Sequence, residues 1–257
     1  MLWWMYLLII LAVYCFLIVI LSLQNPEKHI DWSKQDLENL KFPSDFSWGV
    51  ATASHQIEGD NQNNWSQFES KQGLEASGAA CDHWNLWKTD FDLIEKLNVG
   101  HYRFSLEWSR VQPNEGEWDE AAIQQYSEMV DDLLARNIEP MVTLHHFSHP
   151  IWFQEKGGFE VEANIEDWIV FSQKMFEVLS DRVQWWCTIN EPAVFTTMGY
   201  VLGEFPPGAR SFKQTRAVAT NMMRAHARCY RALKAMPRGN DVPVSYTHLT
   251  LPTICSV

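Results

Sequence analysis

Trp185-Trp186-Cys187-Thr188-Ile189-Asn190-Glu191-Pro192 is the stretch on which the fold turns. Trp185 to Ile189 form an apolar, β-branched run of strand length. An amide and a carboxylate follow at once, and then a proline, where the chain must turn. Glu191 therefore stands at the C-terminal end of a buried strand. In a parallel α/β barrel, that end is where catalytic groups collect. Asn190 adds an uncharged donor and acceptor, suited to a polar, neutral substrate. The same letters carry a second reading, in which Glu191 caps a helix whose first position is Pro192.

Working outward, strand and helix patterns alternate on both sides of this run. Phe46 to Thr52, Val99 to Trp108, Glu139 to Phe147 and Gln184 to Glu191 read as strands, and Val242 to Tyr246 as the start of a fifth. Between them lie helical stripes. Trp84, Trp87, Phe91, Ile94 and Leu97 mark the first, over His83 to Leu97. Ala122, Ile123, Tyr126, Met129, Val130, Leu133 and Leu134 mark the second. Ile165, Trp168, Ile169, Met175, Phe176 and Leu179 mark the third, and Val218, Met222, Ala225, Cys229 and Leu233 the fourth. Repeated strand–helix units predict an α/β fold with a parallel sheet under covering helices. Four to five strands use about 200 residues, so eight need about 400. The expectation is a (β/α)8 TIM barrel of which the first half is present, with an open edge that disfavours independent folding.

Composition narrows the function. The chain has 257 residues, Lys+Arg 20 and Asp+Glu 32, for a net charge of −12. Such a chain gains nothing from releasing phosphate counterions, so nucleic acid is excluded as a partner. Aromatics are abundant, with 13 Trp, 14 Phe and 7 Tyr. Flat rings suit the apolar faces of sugars, although most tryptophans in any protein serve the core. The five cysteines (Cys15, Cys81, Cys187, Cys229, Cys255) are odd in number and widely spaced. They fit neither a disulfide framework nor zinc-ligand spacing, and they favour a reducing compartment. No metal or cofactor is expected, and the sequence sets no oligomeric state.

Met1 to Leu23 holds no Asp, Glu, Lys, Arg or His. As a helix it reaches about 34 Å, enough for a bilayer core. No basic residue precedes it and no small-x-small cleavage site follows, so residues 1–23 read as one uncleaved transmembrane anchor; a signal peptide is the alternative. Trp3, Trp4 and Tyr6 suit an interface. Lys28, Lys34 and Lys41 follow the span, which places the soluble part on the cytoplasmic side. Residues 24–41 form a linker and 42–244 the partial barrel. Residues 245–257 lack any helical period and break the preceding pattern; they read as a foreign tail on a truncated frame, which resequencing past Pro243 tests.

Four polar clusters fall at the four strand tips: Thr52 to Gly59, Tyr102 to Arg110, Thr143 to Phe147, and Thr188 to Pro192. Singly, a buried His or Arg is more often structural than functional. Together, at equivalent barrel positions, they would share one face. The stretches FPSDFSWGVATASHQIEG, YRFSLEWSRVQPNEG, PMVTLHHFSHPIWF, TINEP, GEFPPG and NMMRAHARCY resemble the N-terminal half of glycoside hydrolase family 1, the β-glucosidase family, from Phe42 to about Arg231.

The resemblance implies a (β/α)8 barrel that cleaves β-glycosides with retention. It implies Gln56 and His146 as ligands of sugar hydroxyls, Asn190 as the ligand of the 2-hydroxyl, Glu191 as the general acid/base, and Arg103 as the group that orients and tunes the nucleophile carboxylate. The acid of such a pair must hold its proton at neutral pH, which partial burial and a negative neighbour achieve. Its partner must lie roughly 5–5.5 Å away for a covalent intermediate. Two departures stand out. Phe147 replaces the Trp that often follows the sugar-binding His. The nucleophile motif I/V-T-E-N-G is absent from the 257 residues, and no Glu follows Glu204. Without a nucleophile the two-step route does not run, so these residues alone are expected to be inactive. The anchor raises a second possibility, transfer of the glycosyl group to a glycolipid acceptor. A third is a non-catalytic sugar-binding remnant.

Overall fold

The computed structural model describes residues 3–26, 31–34 and 41–247. The chain divides into two compact units, Met1–Phe46 and Ser47–Val257.

The first unit is dominated by the helix Trp3–Gln24, which buries none of its side chains. A helix that is apolar all round has no wet face to present. By length and composition it can cross a membrane. After it, Lys34 pairs with Asp31 at 2.9 Å. Lys28 lies outside the described residues.

The second unit is built on five parallel strands: β1 (Gly49–Ala51), β2 (His101–Ser105), β3 (Glu139–His145), β4 (Trp185–Ile189) and β5 (Val244–Ser245). Their spatial order is their chain order, β1-β2-β3-β4-β5. Each connection is a crossover, as a parallel sheet requires. The register sets Ala51 beside Arg103, Ser105 beside Thr143, and Thr143 beside Cys187, so the C-terminal tips rise together.

The helical stripes pack as their spacing predicts. Glu120–Ala135 buries Ala122, Ile123, Tyr126, Met129, Val130 and Leu133. Ile165–Leu179 buries its whole predicted stripe and adds Phe171. Phe212–Lys234 buries Val218, Met222, Ala225, Cys229 and Leu233. These residues join one core with the outward faces of the strands, where Tyr102, Phe104, Val142, Leu144 and Trp186 lie. Each large apolar side chain so buried contributes about 1.5–3 kcal/mol.

Two expectations are corrected. The strand predicted over Phe46 to Thr52 shrinks to Gly49–Ala51, because as an edge strand it has only β2 to pair with, over His101 to Arg103. Leu97 closes no stripe. It is the C-cap of the helix His83–Lys96 and stays 62% exposed, since the chain has left the helical path at that point.

Candidate active site

The two readings of Glu191 prove compatible. Strand β4 ends at Ile189, and Glu191 is the N-cap of the helix Pro192–Thr196 with Pro192 at its start. The side chain makes no capping bond. The carboxylate is therefore released from the role that usually places an acid there. Its backbone is left-handed, with φ 42°. Phe147, at the tip of β3, is also left-handed, with φ 71°. Non-glycine residues held this way cost about 1–3 kcal/mol each and cluster at functional sites.

Below Glu191, Asn190 is 4% exposed and anchored by its backbone N–H to the His145 carbonyl at 2.8 Å. Its Oδ1 accepts from an Arg103 terminal nitrogen and, at 2.8 Å, from Thr247 Oγ1. The amide orientation is thereby fixed, leaving Nδ2 to donate elsewhere. Arg103 also donates from Nε to Thr143 Oγ1 at 2.9 Å. Two of its five N–H groups are thus committed to β3 and β4, and it forms no ion pair among the described residues. Arg110, by contrast, is a structural arginine. It pairs with buried Glu58 at 3.0 Å and lies over the Trp84 ring at 4.3 Å.

Gln56 and His146 come together at the β1 and β3 tips. They line one cavity of about 300 Å³ with Ala53, His55, Trp65, Glu69, Ser77 and Phe147. Gln56 is exposed there, while His146 is half-buried with its Nδ1 unpartnered. Burial, and then the positive charge of Arg103, hold the His146 imidazolium down at about 4. The ring is neutral at neutral pH, so it offers one donor and one acceptor. Phe147 contributes an aromatic wall, 5.7 Å from the Phe205 ring.

Trp65, Glu69 and Ser77 in this lining escaped the sequence reading. Asn63 caps the helix Asn64–Gln72, accepting at Oδ1 from the Trp65 and Ser66 amides. That fixes Asn63 Nδ2 as the donor to His55 Nδ1 at 3.1 Å. His55 must then carry its proton on Nε2, facing Glu69 Oε1 at 3.4 Å. Glu69 is further held by the Ser77 amide and hydroxyl, at 3.0 and 3.2 Å. The Asn63-x-x-Ser66 capping signal was available in the sequence; nothing in it placed Trp65 beside His55, where their rings stack at 5.7 Å.

Most other polar residues of the four clusters do not face this cavity. Glu58, Glu107 and Tyr126 form a buried network behind it. Burial, and then the charge of Glu107, push the Glu58 carboxyl up to about 8. No group of three or more His, Cys, Asp or Glu that could hold a metal occurs among the described residues. Cys15, Cys81, Cys187 and Cys229 are free thiols, and Cys255 lies outside the described residues. Trp108, Trp168 and Trp186 are fully buried core, and among the described residues Trp65 is the tryptophan that lines this cavity.

Comparison with known proteins agrees with this architecture. Beta-glucosidase A of Thermotoga maritima is 36% identical over 220 residues, which are 81% of this chain and 49% of that protein. The cytosolic beta-glucosidase of Homo sapiens is 37% identical over 213 residues, 77% of this chain and 45% of that one. The solved beta-glycosidase from Pyrococcus horikoshii superposes with a TM-score of 0.76 at 42% identity, covering 81% of this chain and 48% of its own. The beta-glucosidase from Thermotoga maritima in complex with deoxynojirimycin gives 0.77 at 36%, over 81% and 50%. The chain thus spans about half the length of the curated relatives it matches, and its five strands correspond to part of their (β/α)8 barrel. Residues 38–254 match the description Glycosyl hydrolase family 1. The superposition, the sequence identity over about four-fifths of the chain and the match of residues 38–254 agree, and the chain belongs to glycosyl hydrolase family 1.

Proposed function

We propose that the whole-length protein is a retaining β-glycosidase acting on a neutral β-glucoside-like substrate, with the site assembled at the strand tips. Glu191 is its acid/base. Asn190 bonds the sugar 2-hydroxyl through Nδ2, and Gln56 and His146 hold further hydroxyls from the cavity they share. Arg103 uses its remaining N–H groups to orient and keep ionised the nucleophile carboxylate, which no residue of this chain supplies.

The observation that carries this reading is the Arg103–Asn190 bond beside an uncapped Glu191. A cation on β2 bonds an amide of committed orientation at the tip of β4, and an unengaged carboxylate follows that amide in the chain. Retaining cleavage needs that set once a second carboxylate is added. The test is Glu191→Ala in the whole-length protein. Hydrolysis of alkyl glycosides, which need protonation of the leaving oxygen, falls much further than hydrolysis of activated aryl glycosides. Equal losses on both would remove Glu191 from the acid role.

The domain reading is part of the same proposal: an anchor over 1–23, a linker over 24–41, a barrel segment over 42–244 and an atypical tail after it. The exposed apolar helix Trp3–Gln24 supports a membrane-bound enzyme, and with it a second reading, glycosyl transfer to a glycolipid. Product analysis with a glycolipid acceptor separates the two, because free sugar as the sole product excludes transfer.

A further inference from the structure

Glu107 ties the segments after three strands to a single carboxylate. It follows β2 and is 0% exposed. Its Oε2 accepts from Ser54 Oγ at 3.0 Å, at the start of the short helix Ser54–Ile57 after β1, and from Ser148 Oγ at 2.8 Å, in the loop after β3. Its Oε1 accepts from Ser109 Oγ at 2.8 Å. Ser54 lies two residues before Gln56, and Ser148 two residues after His146.

The tie is reinforced from behind. The Ser54 amide donates to Ser105 Oγ at 2.7 Å. The Glu107 amide donates to Tyr126 Oη at 2.8 Å, and that hydroxyl donates to Glu58 Oε1 at 2.6 Å. The short segment bearing Gln56 is therefore pinned at Ser54 and again at Glu58. Among side chains, an ionised carboxylate is the group that accepts three hydroxyls at once while offering no donor. Burying such a charge is costly compared with an apolar residue of like size. What the charge supplies here is geometry, through charge-assisted bonds that are short and strong.

We propose that Glu107 is a positioning residue that fixes the Gln56 loop against the His146 loop and so sets the spacing of the two sugar-hydroxyl contacts. The inference rests on the glycosidase reading above for its consequence, and on loop geometry alone for its first test.

The first test is amide hydrogen exchange on the whole-length protein. In Glu107→Ala, amides of residues 54–58 and 146–149 exchange at least about tenfold faster than in wild type. Glu107→Gln keeps them slow, since its oxygen still accepts from Ser54 and Ser148 while its NH2 donates to Ser109. Ser54→Ala loosens only the first loop and Ser148→Ala only the second; these two variants decide the matter if Glu107→Ala does not fold. Unchanged exchange in both loops overturns the proposal. This readout needs no turnover, so tied loops in a protein that cleaves no glycoside would sink the functional reading alone.

The second test is kinetic, on an aryl β-glucoside, with rates taken per folded molecule. Glu107→Ala lowers kcat/KM by about ten- to a hundredfold, as displaced contacts do, and Glu107→Gln restores it to within about threefold. In the Glu107→Ala background, Gln56→Ala costs little more, because the contact is already misplaced. Additive losses for the two substitutions, or an unchanged kcat/KM in Glu107→Ala, leave Glu107 a purely structural residue and overturn its positioning role.

Discussion

Removing one hydroxyl from Tyr126 should cost far more than removing one from Tyr102, although both rings are fully buried, at 0% and 1% exposure. The Tyr126 hydroxyl serves two buried partners, accepting from the Glu107 amide at 2.8 Å and donating to Glu58 Oε1 at 2.6 Å. Tyr126→Phe strands both. Each buried polar group left unmade costs about 1–3 kcal/mol, so the pair costs about 2–6 kcal/mol. Among the described residues the Tyr102 hydroxyl meets Thr52 Oγ1, at 2.5 Å, and Thr52 is half-buried, within reach of solvent. Tyr102→Phe should therefore lose about 0.5–1.5 kcal/mol. The assay is urea unfolding followed by near-ultraviolet circular dichroism at pH 7. With a slope of about 1–3 kcal/mol per molar urea, a loss of 3 kcal/mol moves the midpoint by at least about 1 M. If Tyr126→Phe loses less than about 1 kcal/mol, or no more than Tyr102→Phe, the buried network behind the site carries no such energy.

The pH dependence of stability follows from the shifted groups. Folded Glu58 titrates at about 8 against an ordinary 4.5, so the folded state holds a proton that the unfolded chain has released between those values. Stability from this group is present at low pH and falls as pH rises through that window, by up to about 1.4 kcal/mol per unit. His146 and His149, held at about 4 chiefly by burial, act oppositely, and burial lowers His145 in the same direction. The unfolded chain binds protons that these rings refuse, so stability falls as pH drops below the ordinary 6.5. The maximum should lie near pH ~6.5, and Glu58→Gln should flatten only the alkaline limb; a stability still rising at pH 9 would contradict this. Gln56→Ala in the whole-length protein should raise the barrier in kcat/KM by about 2–4 kcal/mol if bound sugar buries its bonds, and a negligible change would take Gln56 out of the site. Deleting residues 1–23 should move the protein from the membrane to the soluble fraction on centrifugation, whereas unchanged retention would refute the anchor.

What the sequence determined alone is whatever depends on local order. Period-3.6 stripes located the helices because a covering helix buries one side. The apolar run into Asn190-Glu191-Pro192 located a strand tip because a proline must end it. The strand–helix alternation gave parallel pairing, and the quoted stretches gave the family. Tertiary structure decided everything that depends on which tips meet. Arg103 and Arg110 look alike in sequence; strand register sends one to Thr143 and Asn190 and the other to Glu58. Glu107 reads as one more acid after a strand until Ser54 and Ser148 arrive from 53 and 41 residues away. Residues so far apart leave no periodic trace. Only closure of the β1–β3 tips into one layer, with its fixed strand spacing, brings their hydroxyls to a common oxygen.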